Sequence, residues 1–164
     1  MKKTILVLTC LMVLNTLAQQ KRLWAKSIIN QKAPKLDVEK WISDQPETKG
    51  KFILIDFWAT WCGPCKIAIP ELNRFKKEFE NELVVIGISD ESKEAINALE
   101  TPKIEYYSAI DTGRTMYNKL EVQGIPHCIL IDPDGIVRWE GYPILNGFEL
   151  TSEVIKDIIT KYKK

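Results

Sequence analysis

Histidine is all but missing from this sequence: His127 is the only one in a chain of 164 residues. A zinc site needs four ligands, usually drawn from cysteine and histidine, and the single histidine has Cys128 beside it. Adjacent residues of a strand point to opposite faces, so these two cannot complete such a site, and neither a metal nor another cofactor is expected. Charge of one sign is missing as well. Lysine and arginine number 23 against 22 acidic residues, a formal net charge of +1, which gives no footing for a polyanion such as nucleic acid. No internal repeat or low-complexity tract is present, and no apolar run reaches the roughly 20 residues of a membrane-spanning helix. What remains is a normal globular balance, 45% hydrophobic and 27% charged, in a length that suits one domain with a proper core.

The N-terminus stands apart from that domain. Lys2 and Lys3 precede an apolar stretch, ILVLTCLMVL, at residues 5–14, and Thr16 and Ala18 then supply small residues at the −3 and −1 positions of a cleavage site. This is the pattern of a secretory leader, residues 1–18, cut before Gln19. An exported, periplasmic protein is therefore expected, with an uncleaved membrane anchor as the alternative. Loss of the leader removes Cys10 and leaves Cys62, Cys65 and Cys128. One close pair plus an odd thiol does not make a disulfide framework and points to chemistry instead.

Residues 19–33 are polar and without sustained periodicity, and read as a lead-in to a domain over 34–164. KLDVEKWI suggests a short hairpin strand ahead of a turn-like DQPETKGK. FILIDFW, at residues 52–58, is a buried central strand by its β-branched and aromatic content, interrupted only by Asp56. From Gly63 to about Glu80 the period turns helical, with Ile67, Leu72, Phe75 and Phe79 near one face. ELVVIGIS is a second buried strand, residues 91–100 a short amphipathic helix, residues 104–110 a further strand, and a helix follows around Arg114–Leu120. HCILIDPDGIVRWEG reads as two strands joined by a Pro-Asp-Gly turn. Leu150, Val154, Ile155, Ile158 and Ile159 mark a closing helix. Strands alternating with helices, then a hairpin and a last helix, predict an α/β domain in three layers around a mixed sheet.

The stretch that carries chemistry is FWATWCGPCK, residues 57–66. Cys62 follows a buried strand and opens a helix, where unpaired N–H groups and the helix dipole favour an anion. A thiolate is such an anion, so Cys62 should ionise more readily than a free cysteine. Cys65 lies one turn later and can close a small disulfide ring with it. Gly63 and Pro64 suit the tight first turn, where the missing N–H of proline costs nothing. A purely structural bridge over so short a loop would constrain little of the unfolded chain. Redox cycling is the reading these residues favour.

ILIDFWATWCGPCKIAIPEL resembles the active-site region of the thioredoxin superfamily. From about Ala33 onward the chain resembles the exported TlpA/ResA-type branch, with APKLDV, GKFILIDFWATWCGPC, VVIGIS, VQGIPHCILIDPDG and the closing helix in order. The resemblance implies a thioredoxin-like fold with an N-terminal hairpin extension and a central strand–helix insertion around residues 91–113. It implies a thiol–disulfide oxidoreductase in which Cys62 and Cys65 form the redox-active disulfide, Cys62 attacking and Cys65 resolving. Pro126 matches the superfamily's cis-proline, presenting the backbone of Ile125 to an extended substrate strand. Trp61, Gly63 and Pro64 would meet the same substrate. Asp56 stands where thioredoxin carries a buried acid. Burial should raise its pKa so that it can take a proton from Cys65. One departure is Ala68, at a position where several relatives carry glutamate, which leaves more of the acid–base work to Asp56.

The remaining signals are weaker. Asp132-Pro133-Asp134-Gly135 lacks the later glutamate of a calcium loop and suits a hairpin turn. His127 could tune the site or merely line the groove, and Cys128 reads as a buried, inert thiol. The function expected is reduction of protein disulfides by an exported monomer, with protein thiol clients and a partner that recharges the dithiol. The alternatives are a thiol peroxidase of the redoxin type, for which FWATWCGPC lacks the expected threonine and arginine, and a docking module without turnover, which would not need a dithiol.

Overall fold

The computed structural model describes residues 23–163; the expected leader over 1–18 and the first residues of the lead-in lie outside them. Ten elements follow in chain order. They are β1 (Lys40–Trp41), β2 (Phe52–Trp58), α1 (Gly63–Glu78), β3 (Leu83–Ser89), α2 (Lys93–Asn97), β4 (Tyr107–Ile110), α3 (Thr115–Lys119), β5 (His127–Ile131), β6 (Val137–Gly141) and α4 (Ser152–Tyr162). The six strands form one mixed sheet in the order β1-β4-β3-β2-β5-β6. FILIDFW takes the interior as β2, parallel to β3 on one side and antiparallel to β5 on the other. A strand with sheet on both edges and helices on both faces can be apolar throughout, and every residue of β2 except Ile53 is buried.

Alternation along β2 divides the core in two. Phe52, Leu54 and Trp58 face a cluster with Ile69, Leu72 and Phe75 of α1 and Ile155 and Ile159 of α4. Ile55 and Phe57 face the opposite cluster, with Met116 and Tyr117 of α3, Leu120 and Ile28 of the lead-in. Helix, sheet and helix make the three layers of a thioredoxin-like fold. Helix α1 buries Cys65, Ala68, Ile69, Leu72 and Phe75, the three- and four-residue spacing of a single face. Ile67 does not belong to it and is 69% exposed. Five residues separate it from Leu72, which at 3.6 residues per turn sets it about 140° around the helix. Pro70 sits inside α1, and the helix nevertheless runs on to Glu78.

Two expected features take a different form. The N-terminal strand is only Lys40–Trp41, and it pairs antiparallel with β4 at the sheet edge rather than in a hairpin with β2. The insertion contributes the short α2 and β4, the latter parallel to β3. The Pro-Asp-Gly turn does join the antiparallel β5 and β6. Asp132 Oδ1 accepts from the N–H groups of Asp134 and Ile136, both at 2.9 Å, and Gly135 takes a φ of +80° that favours glycine. Oδ1 of Asp132 is thus taken up by the turn, while Oδ2 accepts from Arg138 Nε of β6 at 2.7 Å.

The lead-in is fastened to the domain. Lys26 N–H donates to Leu120 O at 3.0 Å, Asn30 N–H to Val137 O at 2.8 Å and Ala33 N–H to Gly135 O at 2.9 Å. Glu140, buried on β6, accepts from Ile28 N–H at 2.9 Å and from the Ser27 hydroxyl. Leaving a buried donor such as the Ile28 N–H without its partner costs about 1–3 kcal/mol. Glu140→Ala should therefore lower the unfolding free energy by about 1–3 kcal/mol, read as a lower urea midpoint, and expose residues 24–31 to limited proteolysis before the rest of the chain. An unchanged midpoint with the same cleavage order would show that the lead-in does not depend on Glu140.

Candidate active site

The site is built where β2 ends and α1 begins. Tyr117 brings its hydroxyl to within 3.2 Å of Trp58 O and 3.1 Å of Ile88 O, holding the ends of β2 and β3 together. In the loop beyond, Thr60 donates to Glu91 twice, from its N–H at 2.5 Å and its hydroxyl at 2.6 Å. Cys62 is the N-cap of α1, with extended backbone, and its N–H donates to Ala59 O at 3.1 Å. The sulfur occupies the place of a capping oxygen and accepts from Cys65 N–H at 3.2 Å. Cys62 and Cys65 are joined as a disulfide with Cα atoms 5.3 Å apart.

Cys62 is more enclosed than its place at a helix start suggests. It is 4% exposed and Cys65 1%, because in the disulfide its sulfur turns inward over the first turn. The exposed groups are its neighbours: Trp61 at 70%, with Gly63 and Pro64. Trp58, by contrast, is fully buried beneath the site.

At the start of β5 the Ile125–Pro126 peptide bond is cis. Ile125 is half-buried between the two core clusters. The segment before it is covered by the lead-in: Trp24 O accepts from Gln123 N–H at 2.7 Å and Gly124 N–H at 3.3 Å. A Cβ on Gly124 would stand 2.8 Å from Trp24 Cβ, so only glycine allows this close approach. Trp24, Gly124, Ile125 and Tyr142 line a small cavity of about 210 Å³. His127 lies on the other side of the sheet, its ring centroid 6.2 Å from that of Phe57.

Asp56 is 1% exposed. It shares the α1 face of β2 with Leu54 and Trp58, whose cluster contains both disulfide sulfurs. Its neighbour in register on β3 is Gly87 and on β5 is Cys128. The Cys128 thiol donates to Oδ1 at 3.3 Å and the Tyr106 hydroxyl to Oδ2 at 3.3 Å. Gly87 makes room for that tyrosine, since a Cβ there would stand 2.8 Å from Tyr106 Cε2. Burial pushes the Asp56 pKa up from 3.8 to about 7, against the pull of its two donors, Cys128 and Tyr106. Burial also drives the pKa values of Tyr106 and Cys128 well above their ordinary values, so both keep their protons. Sequence reasoning expected a buried Asp56 with a raised pKa, and both are seen; it missed Tyr106, Gly87, Glu91 and the bond from Cys128. Only the strand register reveals that Cys128 opposes Asp56. A dithiol at a helix N-terminus, with an acid titrating near neutrality on the same face, suits thiol–disulfide exchange.

A disulfide opening α1 and a cis-proline opening β5, on a mixed sheet between helices, define a thioredoxin-like redox fold. Residues 26–140 match the AhpC/TSA family, and the chain belongs to that family. It is 30% identical over 142 residues to the thiol-disulfide oxidoreductase ResA of Bacillus thuringiensis subsp. konkukian, covering 83% of this chain and 79% of that protein. With the Bacillus subtilis protein of the same name it shares 29% identity over 94 residues, 56% of this chain, and spans about half of that relative's length, 52%. The thioredoxin domain of a thiol-disulfide oxidoreductase from Bacteroides vulgatus superposes with a TM-score of 0.66 at 21% identity, covering 85% of this chain and all of that domain, 100%. Among the described residues no group of three or more histidine, cysteine, aspartate or glutamate side chains is placed to hold a metal.

The raised pKa of Asp56 has a consequence for stability. The unfolded chain releases this proton near 3.8 and the folded chain near 7, so between those values the folded state holds more protons. Stability is then highest below the unfolded pKa, falls as pH rises toward 7, and levels off above it. The full difference is roughly 4 kcal/mol. Urea unfolding of the oxidised protein should show lower stability at pH 8 than at pH 5, and Asp56→Asn should flatten that slope. An equal slope in the variant would mean that Asp56 ionises normally.

Proposed function

We propose that this protein is an exported thiol–disulfide oxidoreductase that reduces protein disulfides through Cys62 and Cys65. The observation that carries this reading is the Cys62–Cys65 disulfide at the N-cap of α1, with Cys65 N–H directed at the Cys62 sulfur. Once the pair is reduced, the same N–H group and the helix dipole favour a thiolate on Cys62.

The Cys62 thiolate attacks a client disulfide. A Cys62–client bond forms, the client bond breaks, and one client sulfur leaves as a thiolate that takes a proton from water. Cys65 then passes its proton to Asp56, directly or through one water, and attacks the Cys62 sulfur. The Cys62–Cys65 bond forms and the second client sulfur departs. The client has gained two electrons, and a reducing dithiol partner must return two to the oxidised pair. The cis Ile125–Pro126 segment offers backbone to an extended client strand, and exposed Trp61, Gly63 and Pro64 meet it from the other side. Residues 34–164 form the catalytic domain, and the leader is removed before Gln19. Among the described residues no helix is long and apolar enough to cross a membrane. A thiol peroxidase reading is less well supported, since the hydroxyl of Thr60, the threonine nearest Cys62 in the chain, is committed to Glu91 at 2.6 Å.

Cys65→Ser should leave attack intact and remove resolution, so that client proteins accumulate on Cys62 and run as adducts on a non-reducing gel. Cys62→Ser should abolish both adducts and turnover. Adducts that form equally well through Cys65 would reverse the assigned roles. Mass spectrometry of the secreted protein should find Gln19 as its first residue, whereas a chain retained in the membrane with Met1 intact would contradict export by cleavage.

A further inference from the structure

Among the described residues Cys128 is the cysteine left over by the redox pair, and Tyr106 belongs to the inserted segment; neither has a part in the exchange steps above. We propose that Cys128 and Tyr106 are positioning residues for the reaction, together holding the Asp56 carboxylate in its ionised, proton-accepting form by donating one hydrogen bond to each of its oxygens. This inference rests on the reading of Asp56 as the acceptor for the Cys65 proton.

The geometry is that of a clamp. Cys128 Sγ lies 3.3 Å from Oδ1 and Tyr106 OH 3.3 Å from Oδ2. An ionised carboxylate only accepts hydrogen bonds, and a protonated one must turn one oxygen into a donor. Two donors aimed at two oxygens therefore favour the charged form. The clamp matters because, among the described residues, Cys128 and Tyr106 are the groups that favour the charged form against burial. Facing Asp56 across β3 is Gly87, which has no side chain, and from β5 comes Cys128 itself. Cys62 and Cys65 come from α1 and are neutral as a disulfide. Tyr117, of α3, packs in the cluster on the opposite face and directs its hydroxyl at Trp58 O and Ile88 O. Among the described residues no lysine or arginine forms an ion pair with Asp56.

Both donors are fixed by their surroundings. Cys128 is fully buried and held opposite Asp56 by the β2–β5 register. Tyr106 is 4% exposed, with its ring over Gly87. Neither side chain ionises readily in this burial, so the donor protons persist across the pH range in which Asp56 titrates. A thiol that is inert as a nucleophile thus has a use as a donor.

The test separates the donor from its shape. The oxidised protein, labelled with carbon-13 at aspartate carboxyls and assigned with Asp56→Asn, is titrated by NMR in the wild type, Cys128→Ser, Cys128→Ala and Tyr106→Phe. Loss of one donor should raise the Asp56 midpoint by roughly one pH unit. Tyr106→Phe and Cys128→Ala should each do so, while Cys128→Ser, which keeps a donor of similar size, should stay at or below the wild-type midpoint. The pH profile of the resolving step, measured on the reduced proteins, should move in parallel. Midpoints that stay in place in both Cys128→Ala and Tyr106→Phe overturn the clamp, and so does a Cys128→Ser midpoint as high as that of Cys128→Ala. If the midpoints move while the rate profiles do not, the clamp stands and the reading of Asp56 as proton acceptor fails.

Discussion

The carboxylate of Asp56 is enclosed at the centre of the sheet between β3 and β5, and the residues around it are those that such an enclosure requires. A buried charge without partners is costly, so the chain supplies donors from two distant places, Tyr106 ahead of β4 and Cys128 on β5. A bulky ring must reach Asp56, so β3 carries Gly87 at the register position beside it. Three residues that look unrelated along the chain answer one physical demand. The demand persists because the acid shares its face of the sheet with the disulfide.

The redox pair needs both a fixed backbone and an open approach. The backbone is fixed by Tyr117 at the strand ends and by Glu91 holding Thr60. On the proposed reading, the approach is framed by Trp61, which is exposed, and Ile125, which is half-buried. Cys62 lies nearly closed while bonded to Cys65, and the Cys65 N–H in the first turn of α1 is directed at its sulfur. The lead-in contributes as well, because Trp24 covers Gly124 just before the cis-proline.

Much of this was legible in the sequence, for reasons that differ by element. FILIDFW and LVVIGIS are long β-branched runs that only an interior strand can satisfy, and they became β2 and β3. The Pro-Asp-Gly hairpin was readable because φ above zero favours glycine there. Cys62, Cys65 and Pro126 stood out by their motifs, and Asp56 by its place in an apolar strand and in the thioredoxin resemblance; in the fold they are a disulfide pair, a residue after a cis peptide bond and a buried acid. Ile67 was misread because its apolar side chain, and not its angle around the helix, suggested a place on the core face. The short Lys40–Trp41 strand chose β4 as its partner, a long-range pairing that alternation alone does not specify. The Cys128–Asp56 contact was hidden for the same reason. Register belongs to the folded sheet, and without it Cys128 is merely an apolar residue on a strand.

The most direct test of the account is a single-turnover reaction of the fully reduced protein with a disulfide-bonded client, quenched in acid at successive times and mapped by mass spectrometry. The account predicts a transient client adduct on Cys62 alone, decaying into the Cys62–Cys65 disulfide faster above pH 7 than below it. An adduct first seen on Cys65, or a decay that is the same at every pH, would contradict it.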